Sequence, residues 1–184
     1  MTDWRRTALA VVFVAGFVLV VGSVSHAEDA VAPDFTLPNL AGEDVTLSEL
    51  LKEGPVIVDF WATWCKPCIK AFPDLQKVFD NYRDCGLRVL AVSIDGPRSS
   101  SKVGSLIKSK GNTFEVLLDP SQKVAKKLHV TSVPRTVLIN TDGKITYAVT
   151  GYRPTNHEKL EAAVRALFPE GCEKEPEGEE EAGE

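Results

Sequence analysis

A chain of 184 residues, 43% hydrophobic and 26% charged, is long enough for one domain with its own core. Its composition excludes a collagen-like, wholly disordered or multi-span membrane protein. The 21 basic residues stand against 26 acidic ones, a formal net charge of −5, and no basic stretch is interleaved with aromatics, so nucleic acid is not an expected partner.

Residues 1–27 read as a targeting segment. Arg5 and Arg6 form a positive start, Ala8 to Val21 is almost wholly apolar, and Ser25-His26-Ala27 places small residues where a signal peptidase reads. Cleavage after Ala27 is the expectation. The alternative is an uncleaved anchor over residues 8–24, the run reaching the roughly 20 residues of a bilayer span only when extended to Val24. A twin-arginine signal fits less well, because Ala8 stands where that motif prefers a large apolar residue. Either way the remainder is expected outside the cytoplasm, in the periplasm or its equivalent, with Arg5 and Arg6 left inside.

Pro33 to Leu51 predicts a short hairpin, turning at Ala41-Gly42-Glu43-Asp44, and then a helical turn with Ser48 as N-cap. Val56-Ile57-Val58-Asp59-Phe60 is an apolar run fit for a buried strand, and the apolar period from Ile69 to Tyr82 predicts a helix, with Pro73 expected to kink it. Leu87 to Ile94 reads as a second buried strand, broken by Asp95-Gly96-Pro97. A helix over 99–110, a strand over 114–118 and a helix capped by Asp119-Pro120-Ser121 follow. Strands over 136–139 and 145–149 flank the turn cluster Asn140-Thr141-Asp142-Gly143, and the last helix spans 157–168. Residues 169–184 carry eight glutamates against the single Lys174 and no apolar period. They read as a disordered, solvated tail, or alternatively as an acidic interaction tail.

Cys65-Lys66-Pro67-Cys68 sits where the strand feeds the helix. Unpaired backbone N–H groups at a helix N-terminus favour negative charge and lower a thiol's pKa. Cys65 is therefore expected to be the exposed nucleophile, and Cys68, about one turn on, the shielded resolving thiol. A CxxC is also half of a zinc site, but zinc wants four ligands. A second CxxC is absent, and Cys85, Cys172, His129 and His157 show no ligand spacing. Redox chemistry is the reading, and no metal is expected. Asp59 lies six residues before Cys65 among apolar neighbours. Such a carboxylate has a raised pKa suited to moving the Cys68 proton. His129 and His157 stand at element ends and read as surface residues.

Val58-Asp59-Phe60-Trp61-Ala62-Thr63-Trp64-Cys65-Lys66-Pro67-Cys68 resembles the active-site segment of thioredoxin. Ala32-Pro33-Asp34-Phe35-Thr36-Leu37, Leu117-Leu118-Asp119 and Val133-Pro134-Arg135-Thr136 resemble the extracytoplasmic TlpA/ResA-like branch of that family, over about residues 32–168. The resemblance implies an α/β thioredoxin-like fold: a mixed central sheet, helices on both faces and an added N-terminal β-hairpin. It implies that Asp59 is the buried proton-relay aspartate and that Val133-Pro134 is a cis-proline loop offering its backbone to a partner strand. Trp61 and Trp64 read as packing around the site, with Trp64 also a candidate contact surface for substrate. The chain departs from the ResA pattern at Ala71, where that branch carries a glutamate, and from thioredoxin at Ala91, where a lysine is usual. In such a fold the helices ending at Cys85 and just before Cys172 run alongside each other, so these two cysteines are candidates for a structural disulfide.

The implied activity is thiol–disulfide exchange, mainly reducing protein disulfides. Lys66-Pro67 resembles reductase-type pairs and lacks the histidine of strong oxidants. The implied partners are proteins bearing disulfides, apocytochrome c among them, and a membrane thiol transporter as electron donor. No flavin or nicotinamide motif is present, and no cofactor is expected. One rival, a peroxiredoxin, needs a threonine or serine three residues before its cysteine and a proline further back, where this chain has Ala62 and Val58. The other rival, a non-enzymatic binding module on the same scaffold, is opposed by the intact cysteine pair.

Overall fold

The computed structural model describes residues 30–173. The targeting segment, its cleavage point, the alternative anchor over 8–24 and the tail beyond Glu173 lie outside those residues.

The described chain opens with a hairpin, β1 (Thr36–Pro38) and β2 (Asp44–Thr46), and one helical turn, α1 (Leu47–Leu50). Ser48 does not cap α1. Its N–H and Oγ donate to the Asp34 carboxylate at 3.0 and 2.8 Å, so the cap comes from fourteen residues upstream. These bonds, with that from the Phe35 N–H, hold the Asp34 carboxyl below its ordinary range.

Five further strands follow: β3 (Val56–Trp61), β4 (Arg88–Ser93), β5 (Glu115–Leu118), β6 (Arg135–Ile139) and β7 (Ile145–Thr150). They form one mixed sheet in the order β5-β4-β3-β6-β7. β3 runs parallel to β4 and antiparallel to β6. The longer helices are α2 (Lys66–Tyr82), α3 (Ser100–Lys110) and α5 (Pro154–Arg165), with the short α4 (Lys123–Lys127) before β6.

All six residues of β3 are buried, because strands flank it on both edges and other elements cover both faces. Alternation then divides them. Ile57 and Trp61 pack with Phe72 and Leu75 of α2, Val103 of α3 and Leu160 of α5. Val56, Val58 and Phe60 pack with Leu37, Leu47 and Val124 on the other face. Asp59 shares the first face. Burying each of these large side chains contributes about 1.5–3 kcal/mol. Phe72 joins Trp61 and Phe114 edge-on, at 4.9 and 5.6 Å between ring centres.

Helix boundaries depart from the apolar period for local reasons. α2 starts at Lys66, three residues before the period begins, because Cys65 itself caps it, and it runs through Pro73 to Tyr82. α5 starts at Pro154, a residue preset for a first helical turn and apolar in no useful register. Asp119 takes N–H donors from Lys123 and Ala125, both at 2.9 Å, and so starts α4 from outside it.

The strand directions define two poles. β3 ends at Trp61 and β6 begins at Arg135 beside Phe60, so the cysteine pair and Pro134 gather at one pole. At the other pole Gly54 meets Gly86 so closely that a Cβ on Gly54 would lie 2.3 Å from the Gly86 carbonyl oxygen. There too the entering chain is fastened to the β6–β7 turn. Val31 bridges Lys144, the Ala32 N–H donates to the Gly143 carbonyl, and the Ile145 N–H donates to the Ala30 carbonyl.

Candidate active site

Beyond Trp61 the chain leaves the sheet and turns into α2 within four residues. Cys65 has extended backbone angles and occupies the cap position, with Pro67 in the first turn. Its sulfur accepts the Cys68 N–H at 3.2 Å. The pair is joined as a disulfide, Cα to Cα 5.3 Å. The donor that now points at the Cys65 sulfur is placed to stabilise a thiolate there when the bond opens.

Exposure differs from expectation. Cys65 is 4% exposed and Cys68 0%, so neither is open to solvent in the disulfide form, although Cys65 is the more accessible. Trp64, just before the pair, is 67% exposed, and Lys66 and Pro67 between the cysteines are exposed as well. Trp64 edges an open groove with Thr63 and, from α3, Lys102 and Leu106.

Asp59 sits in mid-strand, 3% exposed, opposite Ala91 on β4 and Thr136 on β6. The Thr136 hydroxyl donates to its carboxylate at 2.7 Å. Burial raises the Asp59 carboxyl to about 7, against the smaller opposing effect of the Thr136 bond. That value matches a group that takes and gives a proton near neutrality. Ala91 leaves it without a lysine neighbour at that register position, and Ala71 lines the same cavity of about 40 Å³ without a carboxylate. That volume is enough to hold water. Pro134, Tyr152 and His157 also line it.

The Val133–Pro134 bond is cis. His157 is not a surface residue. It is half-buried against this cavity, with Nε2 3.6 Å from the Glu161 carboxylate. Its place follows from α5 starting a turn earlier than the apolar period suggests. The Tyr152 hydroxyl, which donates to Asp74 at 2.8 Å, closes another side. His129 is exposed. Among the described residues no cluster of metal-ligating side chains occurs.

Cys85 and Cys172 lie at the far pole and are joined, Cα to Cα 5.9 Å. The start of the presumed tail is therefore fixed through Glu173. Phe168 stacks on Tyr82 at 5.6 Å, and Arg165 donates to the Tyr82 hydroxyl at 3.3 Å and to Glu173 at 3.0 Å.

The AhpC/TSA family model matches residues 29–148. The chain belongs to the AhpC/TSA family. Within this AhpC/TSA group it is similar to thiol-disulfide oxidoreductase ResA of Bacillus subtilis, 36% identical over 130 residues, 71% of each chain. It is also similar to ResA of Geobacillus kaustophilus, 32% identical over 170 residues, covering 89% of this chain and 95% of that one. A crystal structure assigned to thiol:disulfide interchange protein DsbE of Chlorobium tepidum superposes with a TM-score of 0.70 at 31% identity, covering 76% of this chain and 96% of that one. This AhpC/TSA protein is a thiol–disulfide oxidoreductase with a thioredoxin-like fold. Peroxidoxin BcpB of Mycobacterium tuberculosis, at 23% identity and a TM-score of 0.66, shares the fold alone.

Proposed function

We propose that the protein works outside the cytoplasm as a reductant of protein disulfides, through Cys65 and Cys68. The observation that carries this reading is the Cys68 N–H aimed at the Cys65 sulfur from the first turn of α2. It makes Cys65 the thiolate that attacks a partner disulfide, forming a mixed disulfide and releasing one partner thiolate. Asp59 takes the proton of Cys68, whose sulfur then attacks Cys65. The Cys65–Cys68 bond forms, the bond to the partner breaks, and the partner leaves as a dithiol after protonation. The dithiol's two electrons have passed to the partner.

Charge supports this direction. A carboxylate buried on the strand that leads into the cysteine pair opposes a second negative charge on its thiols, which disfavours the strongly stabilised thiolate of an oxidant. Lys66-Pro67 supports the same direction by its resemblance to reductase pairs. The expected potential is about −270 mV, as in thioredoxin, and a value near about −120 mV, as in DsbA, overturns the reductant reading. The measurement is equilibration of the Cys65–Cys68 pair against glutathione.

The TlpA/ResA-like resemblance supports apocytochrome c, its cysteines held as a disulfide before haem attachment, as one substrate among envelope proteins. Trp64 and the Val133–Pro134 backbone are proposed to contact it, and a membrane thiol transporter to return the electrons. Cys68→Ser protein exposed to an envelope extract is expected to capture these substrates as mixed disulfides. Capture by Cys65→Ser instead reverses the assignment of the two thiols.

A further inference from the structure

A second buried carboxylate lies at the active-site pole, and the chemistry above does not use it. Asp95 follows the end of β4 and is 2% exposed. Its Oδ2 accepts the Thr63 N–H at 2.8 Å and the Ser93 hydroxyl at 2.9 Å, and its Oδ1 accepts the Thr63 hydroxyl at 2.6 Å. The Asp95 N–H in turn donates to the Ser93 hydroxyl at 3.2 Å. Every one of these donors is neutral.

Thr63 is the second residue before Cys65. Both of its donors are taken by the one carboxylate, so the segment cannot swing without breaking two short charge-assisted bonds. The neighbouring bonds act in the same direction. The Ile94 N–H donates to the Trp61 carbonyl at 2.9 Å, and the Cys65 N–H donates to the Ala62 carbonyl at 3.0 Å. The chain from Trp61 to Cys65 is thus fastened to the end of β4 on one side and to the start of α2 on the other. Cys68 is already fixed by the helix. Cys65 is held from both sides: its carbonyl accepts the Cys68 and Ile69 N–H groups at 3.1 and 3.2 Å, and the fastening fixes the chain that leads into it.

A buried carboxylate is a costly way to end a strand, since desolvating it must be offset by hydrogen bonds. Here the bonds that offset it go mostly to the active-site segment. We propose that Asp95 is a positioning residue: by clamping Thr63 it holds the Cys65 sulfur where the Cys68 sulfur attacks it. The inference rests on the proposed exchange reaction. In that reaction Cys68 attacks Cys65, the Cys65–Cys68 bond forms and the Cys65–partner bond breaks, and a proton from solvent completes the departing partner thiol. The clamp acts on the effective concentration of one thiol towards the other, a quantity that fixed geometry raises by orders of magnitude. Slack in the Thr63 segment lowers it. The disulfide then closes more slowly and is less favoured over the dithiol.

The test uses the full chain with Cys85–Cys172 intact, and compares wild type, Asp95→Ala, Asp95→Asn and Thr63→Val. Two quantities are read: the equilibrium of the Cys65–Cys68 pair with reduced and oxidised glutathione, and the rate at which the glutathione mixed disulfide resolves. Asp95→Ala is expected to favour the dithiol about tenfold, which is about 30 mV upward, and to slow resolution by a similar factor. Thr63→Val, which removes one of the two bonds, is expected to shift both about threefold. Asp95→Asn keeps an acceptor for the Thr63 N–H and is expected to recover most of the loss. An Asp95→Ala protein that is less heat-stable but has the wild-type equilibrium and resolution rate overturns the positioning role. An Asp95→Asn protein shifted as far as Asp95→Ala also overturns it, because the charge and not the clamp is then at work. Should Asp95→Ala fail to fold, Thr63→Val decides alone, and wild-type values in it overturn the proposal. A wild-type protein that fails to reduce insulin removes the proposed function together with this inference. A wild type that reduces insulin, with unshifted variants, removes the clamp alone.

Discussion

The molecule carries two disulfides, one at each pole, and their surroundings differ in every respect that matters chemically. Cys65–Cys68 spans three residues, lies at a helix N-terminus, and has in Asp59 a buried carboxyl raised to about 7 on the adjoining strand. Cys85–Cys172 spans eighty-seven residues and lies where helices end, beside the stacked Tyr82 and Phe168 and the Arg165–Glu173 pair. Opening the first releases a small ring and yields a thiolate that backbone N–H groups stabilise. Opening the second releases a long loop and meets helix carbonyls, which disfavour a thiolate. The same covalent bond is a working part at one pole and a staple at the other.

The largest expected effect breaks this contrast by exchange of roles. Cys65→Ser is expected to lower insulin reduction by about a thousandfold or more. Cys85→Ser and Cys172→Ser are expected to stay within about twofold of wild type, since they touch no reacting atom. A comparable loss in all three proteins ends the distinction. Stability reverses the ranking. In the chain-entropy model the long bridge contributes about 4.5 kcal/mol and the short one about 2, so urea denaturation of Cys172→Ser is expected to show the greater loss.

Asp59 gives a pH test. Its carboxyl is raised on folding, so the folded state holds a proton that the unfolded chain releases. Stability therefore falls as pH rises from the ordinary carboxyl value towards about 7 and is level beyond it. Asp59→Asn removes this penalty and is expected to be more stable than wild type by roughly 2–4 kcal/mol at pH 8, with little difference at pH 4. The same substitution is expected to slow mixed-disulfide resolution about tenfold at pH 7 while leaving the first attack nearly unchanged. A resolution profile with the wild-type pH dependence removes Asp59 from the mechanism. The smallest effect is that of Trp64→Ala. An exposed aromatic beside the pair is expected to matter for protein substrates, raising KM about three- to tenfold with little change in kcat, and not at all for a small disulfide. Equal effects on both substrates would place Trp64 in packing.

Much of this was legible because it is local. A strand of apolar residues, a lone aspartate within it, and two cysteines at the start of the next helix are read from adjacent positions. The sheet places Asp59 opposite Ala91, the position at which the sequence comparison with thioredoxin had put the missing lysine. What escaped depends on partners distant in the chain. Ser48 has the right type and place for a cap, yet Asp34 supplies the bonds. Thr136 reaches Asp59 from seventy-seven residues away and Asp95 reaches Thr63 from thirty-two, and no period in the sequence announces either pairing. Asp95 had one available signal: it follows a buried parallel strand at the end where the cysteines lie, where side chains gather around a site. His157 was misplaced because the apolar period marks where a helix buries its stripe, not where it begins.

The fastening of residues 30–32 to the β6–β7 turn has a consequence for how the domain meets its surroundings. That turn lies at the far end of the sheet from Pro134, and Cys172 is held at the same end by Cys85. The chain therefore enters and leaves from one side, and the length of β3, about 17 Å of extended backbone, separates that side from the cysteine pair. Residue 30, the first described, therefore lies at the back of the domain, on the side away from the cysteine pair. Trp64 and Cys65 look the opposite way, so a bulky partner docking on them meets a face to which neither Ala30 nor Glu173 contributes.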